Sequence, residues 1–236
     1  MTNMTQQTLA GIVTNDHRAA TVLEKYHLDF CCKGKRTLAD ACAEKGLSSN
    51  EIITELESIN ESIDSRQMPF HDMTAEQLIA HIVIHHHFYV KQIMPQLYNH
   101  IEKVATKHGD RFPWMIEVFR LFGEVREEMT LHMQKEEVIL FPAIKKAERA
   151  FVNKETLGIE IGIISGAISV MENEHDIAGE IMFQIRGLTK NYQEPADACT
   201  TFKISLAELK VFEEDLHRHV HLENNILFPM AKRFVE

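Results

Sequence analysis

Two histidine and glutamate pairs with identical spacing offer the clearest chemistry in this sequence. His132 precedes Glu136 by four residues, and His219 precedes Glu223 by four residues. Both pairs continue into Leu-Phe-Pro, and the pairs are 87 residues apart (219 − 132 and 223 − 136). This agreement indicates an internal repeat of a helical hairpin.

The histidines and glutamates of the repeat can be gathered into one metal site. In a helix, residues four apart share a face, so each pair presents an imidazole beside a carboxylate. His87 and His175 are 88 residues apart and place one further histidine on each of the other two helices. Four imidazoles and two bridging carboxylates in one bundle core would hold two cations. A single such pair is usually solvent-exposed, but its repetition predicts metal binding.

The ligand types indicate which metal the site would take. Mixed imidazole and carboxylate ligation suits iron, manganese or zinc, and the lack of a thiolate at these positions argues against structural zinc. We therefore predict two iron ions. Six side chains do not fill the coordination of two six-coordinate ions, so positions remain for an oxo bridge or a small ligand.

The run His85–His87 leaves the ligand of the first helix open when only periodicity is considered. Consecutive helical residues point about 100° apart, and both His86 and His87 have apolar neighbours on their faces. The repeat offset favours His87. Four other histidines have no repeat partner and are expected to face solvent or to contact the ligands from outside: His81, His85, His217 and His221. Three acidic residues beside the ligands are candidate hydrogen-bond partners or proton carriers: Glu137, Glu172 and Glu174.

Long amphipathic helices must position these residues. Apolar side chains recur at three- and four-residue spacing over four stretches, 75–107, 113–148, 155–189 and 198–233. Short connections with helix breakers favour antiparallel neighbours, so we predict an up-down-up-down four-helix bundle over residues 75–236.

A smaller helical domain is expected before the bundle, over residues 1–64. Shorter helical patterns occur there, for example at 37–43 and 50–63. Residues 65–74 lose the helical periodicity and form the predicted linker, which ends where Thr74 can cap the first bundle helix.

Composition narrows the class of protein. Ten glycines and six prolines in 236 residues are too few for a turn-rich β protein, so an all-α fold is expected. The formal net charge of −10 argues against a nucleic-acid partner. No apolar run is long enough to span a membrane and the first residues do not resemble a secretory signal, so we expect a cytoplasmic location without membrane association.

Four cysteines are present, and two of them, Cys31 and Cys32, are adjacent. Ring strain disfavours a disulfide between neighbouring residues, and a cytoplasmic location favours reduced thiols. The pair is therefore a candidate for chemistry, although two small buried side chains would have the same sequence.

Together, these motifs resemble the hemerythrin-like four-helix fold, and specifically the di-iron proteins of the Repair of Iron Centres family. The resemblance rests on three bundle segments, at 132–142, 171–179 and 219–229, and on Asp-Phe-Cys-Cys-Lys-Gly-Lys-Arg-Thr-Leu at 29–38. The last segment is similar to the short domain with paired cysteines that precedes the family's bundle.

The resemblance implies specific roles for the site residues. It implies terminal iron ligands at His87, His132, His175 and His219, and bridging carboxylates at Glu136 and Glu223. Gly179 stands where oxygen-carrying hemerythrins have a further histidine, so reversible oxygen transport is not expected. The family also implies a homodimer and a role in restoring iron–sulfur clusters damaged by nitric oxide or peroxide.

Three functional hypotheses follow from these expectations. In the first, a stress-response protein supplies iron to damaged iron–sulfur proteins, with Cys31 and Cys32 as a thiol relay. In the second, the two-metal site reduces nitric oxide to nitrous oxide. In the third, the protein senses a diatomic gas and forms a stable complex without turnover.

Overall fold

The computed structural model describes residues 4–60 and 70–236, and the regular structure in these ranges is helical. The predicted all-α fold is therefore confirmed. The α-helices are α1 Leu9–Asn15, α2 Ala19–Lys25, α3 Leu38–Lys45, α4 Ser49–Asn60, α5 Ala75–Ile82, α6 Phe88–His108, α7 Trp114–Lys135, α8 Phe141–Asn153, α9 Glu160–Leu188, α10 Thr200–Leu222 and α11 Phe228–Val235.

Helices α1 to α4 form the small N-terminal domain. Thr37 begins α3 because its hydroxyl accepts a hydrogen bond from the Asp40 N–H at 3.1 Å, and Gly46 ends that helix in the left-handed conformation (φ 65°). The predicted boundary at residue 64 and the linker positions 65–69 lie outside the described residues. The end of the linker, Phe70–Asp72, forms a short 3-10 turn.

Four rods form the bundle, and three of them are pairs of α-helices joined by one wider π turn. The π turns are Val83–His87 between α5 and α6, Glu136–Leu140 between α7 and α8, and Glu223–Leu227 between α10 and α11. The third rod is α9, which is continuous. Helix α6 packs against α7 and α10, and α9 packs against α7, α8 and α11, so the predicted up-down-up-down bundle is confirmed.

The bundle core has two apolar clusters with a polar layer between them. Val90 and Met129 belong to one cluster, and Ile82 and Leu140 belong to the other. His87 and His132 lie in the rods between these cluster members. Apolar packing on both sides keeps the polar layer away from water and strengthens electrostatic interactions within it.

Local sequence signals explain where the first rod begins. The Thr74 hydroxyl accepts a hydrogen bond from the Gln77 N–H, and the Gln77 side chain accepts one from the Thr74 N–H, as predicted for a capping box.

Within the described residues, no helix is both long and apolar enough to cross a membrane.

Candidate metal centre

The six predicted ligands lie together in the polar layer of the bundle, and each is at most 1% exposed. Their donor atoms form two groups of four. The first group is His87, Glu136, His219 and Glu223, and the second is His132, Glu136, His175 and Glu223. Both glutamates belong to both groups, which is the arrangement that bridging carboxylates require.

The ring nitrogens have the spacing of neighbouring ligands on one ion. The Nε2 atoms of His87 and His219 are 3.1 Å apart, and those of His132 and His175 are 2.9 Å apart. In an octahedral complex with donor distances of about 2.1 Å, neighbouring donors lie about 3.0 Å apart. Each histidine pair therefore fits one ion.

The glutamates face both histidine pairs. One oxygen of Glu223 lies 3.0 Å from His219 Nε2, and its other oxygen lies 3.1 Å from His175 Nε2. Glu136 Oε2 lies 3.4 Å from His87 Nε2 and 3.3 Å from His132 Nε2. Each carboxylate is thus placed between the two ion positions.

Burial of these carboxylates supports a cationic occupant. Both oxygens of Glu136 are buried and have no hydrogen-bond partner among the described residues. An ionised carboxylate removed from water is costly unless it is paired or coordinates a metal. The donor set of four imidazole nitrogens and two carboxylates fits two divalent cations such as iron.

Three of the six predicted ligands belong to the π turns. His87 is the last residue of its π turn, and Glu136 and Glu223 are each the first residue of theirs. Such turns are rare and occur frequently at functional sites. In the second and fourth rods, Pro142 and Pro229 follow directly in the first turn of the next α-helix, where a missing N–H is tolerated.

Comparisons with known proteins agree with this geometry. The family model for the hemerythrin HHE cation-binding domain matches residues 78–231, which include all six predicted ligands. The ScdA_N model, described as a domain of unknown function (DUF542), matches residues 5–60.

Full-length relatives share both parts. Iron-sulfur cluster repair protein YtfE of Enterobacter sp. (strain 638) is 35% identical over 225 residues, and YtfE of Escherichia coli O81 (strain ED1a) is 36% identical over 228 residues. Each alignment covers 95% of this chain and 96% of the relative. The chain belongs to the YtfE family. The resemblance to Repair of Iron Centres proteins is therefore confirmed.

In this YtfE-family protein, three of the predicted histidine ligands make a hydrogen bond at Nδ1, the ring nitrogen that points away from the site. Nδ1 of His87 donates to Glu137 Oε1 at 2.7 Å, and Nδ1 of His132 donates to Glu174 Oε2 at 2.9 Å. A partner at Nδ1 leaves Nε2 free to bind metal and sets the ring orientation. Two of the three acidic candidates thus contact ligands, whereas Glu172 pairs with Lys232 near the surface.

Asn224 is the partner that sequence reasoning missed. Its Oδ1 accepts a hydrogen bond from His175 Nδ1 at 2.8 Å. Asn224 follows Glu223 as Glu137 follows Glu136, so the 87-residue offset already pointed to it. Nδ1 of His219 is the exception, because it has no partner within the part of the chain that the structure describes.

The electrostatics of the YtfE-family site favour ionised glutamates. Burial opposes ionisation of Glu223, but His219 and His175 hold the pKa of its carboxyl well below the ordinary value. Burial lowers the pKa of His87, yet Glu136 and Glu223 outweigh it and raise this pKa to about 10. The same balance raises the pKa of His132 to about 9. In the metal-free protein the glutamates are therefore ionised, and His87 and His132 must each release a proton when cations bind.

The run of three histidines separates into three environments. His87 points into the site, whereas His85 is exposed. His86 is buried, donates from Nδ1 to Asp215 Oδ1 at 3.0 Å, and stacks on the His219 ring with centroids 5.7 Å apart. The structure thus brings the residue favoured by the repeat offset to the ligand group.

His217 and His221, the two histidines of α10 without a counterpart in the repeat, contact the N-terminal domain. His217 Nδ1 donates to Glu24 Oε1 of the N-terminal domain at 2.6 Å. His221 is 2% exposed and its ring packs edge-on against Phe30. Of the two alternatives predicted for His221, exposure to solvent or contact with a ligand from outside, solvent exposure is wrong, because the N-terminal domain covers this face of α10.

The paired cysteines lie at this contact between the domains. Cys31 is buried, Cys32 is half-buried, and both are free thiols with their Sγ atoms 3.8 Å apart. The Asn225 side chain donates to the Cys31 carbonyl at 2.9 Å. The cysteine loop is therefore attached to the same π turn that carries Glu223 and Asn224.

Proposed function

We propose that this protein binds two iron ions and repairs iron–sulfur clusters damaged by oxidative or nitrosative stress by supplying iron to them. The main observation in support of this proposal is the pair of four-donor groups that share Glu136 and Glu223. The relatives named iron-sulfur cluster repair proteins support the same activity. Damaged iron–sulfur proteins are then the partners and iron is the cargo.

The donor count supports release of the ions. Each group offers two imidazoles and two shared carboxylates, so neither ion has a full protein shell. In this proposal, a site of imidazoles and carboxylates with open positions releases ferrous iron more readily than a closed set of four thiolates releases a structural metal. The remaining positions accept an oxo bridge or a small ligand.

Cys31 and Cys32 act in this proposal as a thiol relay between the centre and the client. A Cβ atom on Gly179 would lie 3.9 Å from Cys32 Sγ, and Gly179 is one helical turn beyond His175. Asn225 joins the Cys31 carbonyl to the π turn of Glu223. These contacts place the thiols beside the elements that carry two ligands.

Metal content is the first test. Protein purified without oxygen and without a metal-affinity column is analysed by plasma mass spectrometry. About two irons per chain are expected, one for each four-donor group, and most are lost in Glu136→Ala or Glu223→Ala. Glu172→Ala is the matched control, since Glu172 pairs with Lys232 instead. A single zinc or no metal in the unchanged protein would refute the centre.

Cluster repair is tested with isotope-labelled iron. The loaded protein is mixed with a nitric-oxide-treated iron–sulfur protein, and both reactivation and transfer of the label are followed. Label recovered in the reactivated client supports iron supply, whereas reactivation without label contradicts it. Reactivation at the unchanged rate by a Cys31→Ser, Cys32→Ser double variant would remove the thiol relay and leave iron supply standing.

Nitric oxide reduction is a second candidate because the ions are placed side by side. The two oxygens of Glu223 each face a different histidine, so two ions there would hold two small ligands next to each other. Gas analysis decides: repeated formation of nitrous oxide without loss of iron favours reduction. A single turnover with transferable iron favours repair, and a stable complex without turnover favours a gas sensor.

A further inference from the structure

Asp29, Cys31 and Cys32 form a third group of metal-binding side chains, separate from the two groups in the bundle. Their donor atoms all lie within 4.8 Å of one another. Cys31 Sγ lies 3.3 Å from Asp29 Oδ1 and 3.8 Å from Cys32 Sγ. Two thiols and a carboxylate therefore converge on one point in the loop after α2.

The spacing of the thiols is that of two ligands on one tetrahedral ion. Two thiolates that each lie about 2.3 Å from such an ion are about 3.8 Å apart. The observed Sγ to Sγ distance is 3.8 Å, well beyond a disulfide bond length. The loop thus holds the pair at a chelating distance without bonding the sulfurs to each other.

Backbone hydrogen bonds fix the carboxylate of this group. Asp29 Oδ1 accepts from the N–H groups of Cys31, Cys32 and Lys33 at 3.1, 3.0 and 3.3 Å. Burial opposes ionisation, but these bonds keep the pKa of Asp29 below its ordinary value. The backbone therefore fixes the Asp29 carboxylate beside the two sulfurs.

Binding of a cation would change the protonation of the sulfurs, because the thiolate is the form that ligates a metal. The Cys31 thiol donates to Cys32, and this bond together with burial raises the pKa of Cys31 well above its ordinary value. A cation that binds both sulfurs releases their two protons to solvent, with no change in oxidation state. Binding then satisfies two sulfurs and one carboxylate at once.

We propose that Asp29, Cys31 and Cys32 form a single-ion site for a thiophilic divalent cation, with its fourth position open toward an incoming donor. The identification of that cation as ferrous iron in transit rests on the proposed function, whereas the site itself does not. The group lies beside Gly179 and Asn225, which follow the predicted ligands His175 and Glu223 by four and two residues.

Cobalt(II) provides the test because thiolate ligation produces a charge-transfer band that histidine and carboxylate ligation do not. Full-length iron-loaded protein is titrated with cobalt(II) under anaerobic conditions. We expect this band to saturate at one cobalt per chain. Cys31→Ser and Cys32→Ser abolish it, and Asp29→Asn, which keeps the acceptor oxygen, weakens cobalt affinity by about tenfold or more.

Cys199→Ser is the matched control, since Cys199 is an exposed thiol on the bundle. The band is expected to be unchanged in this variant. A titration without the band, or a band that survives in Cys32→Ser, would overturn the site. Because Cys32 is half-buried, its substitution tests the site even when Cys31→Ser disturbs folding. Iron retained in the bundle is counted separately, so failure here is distinct from failure of the two-iron centre.

Discussion

At the scale of single residues, packing separates three consecutive histidines that share one chemistry. His87 ends a π turn with its Nε2 among the donors, while His86 is occupied by Asp215 and His85 remains in solvent. Since helical neighbours point about 100° apart, only one of the three can enter the centre. The outer partner Glu137 then holds the chosen ring.

His87→Ala and His86→Ala are expected to differ in metal retention. Loss of His87 removes one of the two imidazoles of its group, so affinity for that ion falls by about tenfold or more. Loss of His86 leaves all six donors in place. Iron content after competition with a chelator measures the difference. Equal retention by the two variants would contradict the assignment of His87.

At the scale of secondary structure, the π turns connect the helical rods to the ligand positions. The N–H of Phe141 bonds the Glu136 carbonyl, five residues back, instead of continuing the α-helical pattern. Pro142 follows without an N–H, so a regular α-helix gains no hydrogen bond there. The repeated Leu-Phe-Pro thus favours the wider turn beside Glu136 and Glu223.

Pro142→Ala is expected to make a continuous α-helix competitive with the π turn. The new N–H can bond the Val138 carbonyl, so the metal-free protein gains about 1 kcal/mol in free energy of unfolding while iron affinity falls. Pro95→Ala is the control, because Pro95 lies inside α6 away from a π turn. It should gain stability with unchanged iron affinity. Denaturation and chelator competition give both quantities, and unaltered iron affinity in Pro142→Ala would refute this role.

At the scale of the whole molecule, one stripe of the fourth rod joins the two domains. His217, His221 and Asn225 follow a four-residue spacing and contact Glu24, Phe30 and Cys31 of the N-terminal domain. Asn224, which precedes Asn225, instead accepts a hydrogen bond from His175. Neighbouring asparagines therefore serve the domain contact and the metal centre.

Substitution of the two asparagines separates these roles. Asn225→Ala removes the bond to Cys31, so the free energy of unfolding falls by about 1 kcal/mol and hydrogen exchange in the cysteine loop rises. Iron retention stays unchanged. Asn224→Ala lowers iron affinity by about 10- to 100-fold with little change in loop exchange. Identical effects of both substitutions on iron would show that the two sides of the turn are not independent.

The sequence already predicts much of the architecture and of the candidate ligand group. The four rods follow from local periodicity, and the observed ends differ from the predicted ones by a few residues, as at α8, which reaches Asn153 instead of 148. The six predicted ligands, which the structure brings together, follow from spacing within helices and from the repeat. Hydrophobic periodicity and the internal repeat are both visible in the sequence alone, so the helices and the candidate ligands can be predicted without knowledge of contacts between distant residues.

Tertiary structure decided what depends on packing between distant segments. The π turns have no signature in the hydrophobic periodicity; the repeated Leu-Phe-Pro accompanies two of them, whereas the turn at Val83–His87 contains no proline. The burial of His221 and the convergence of Asp29 with the cysteines depend on the N-terminal domain and its loop. The sequence shows that these groups are present, but contacts between distant segments determine which of them lie together. Those contacts decide whether a side chain is exposed to solvent, buried or placed among candidate ligands.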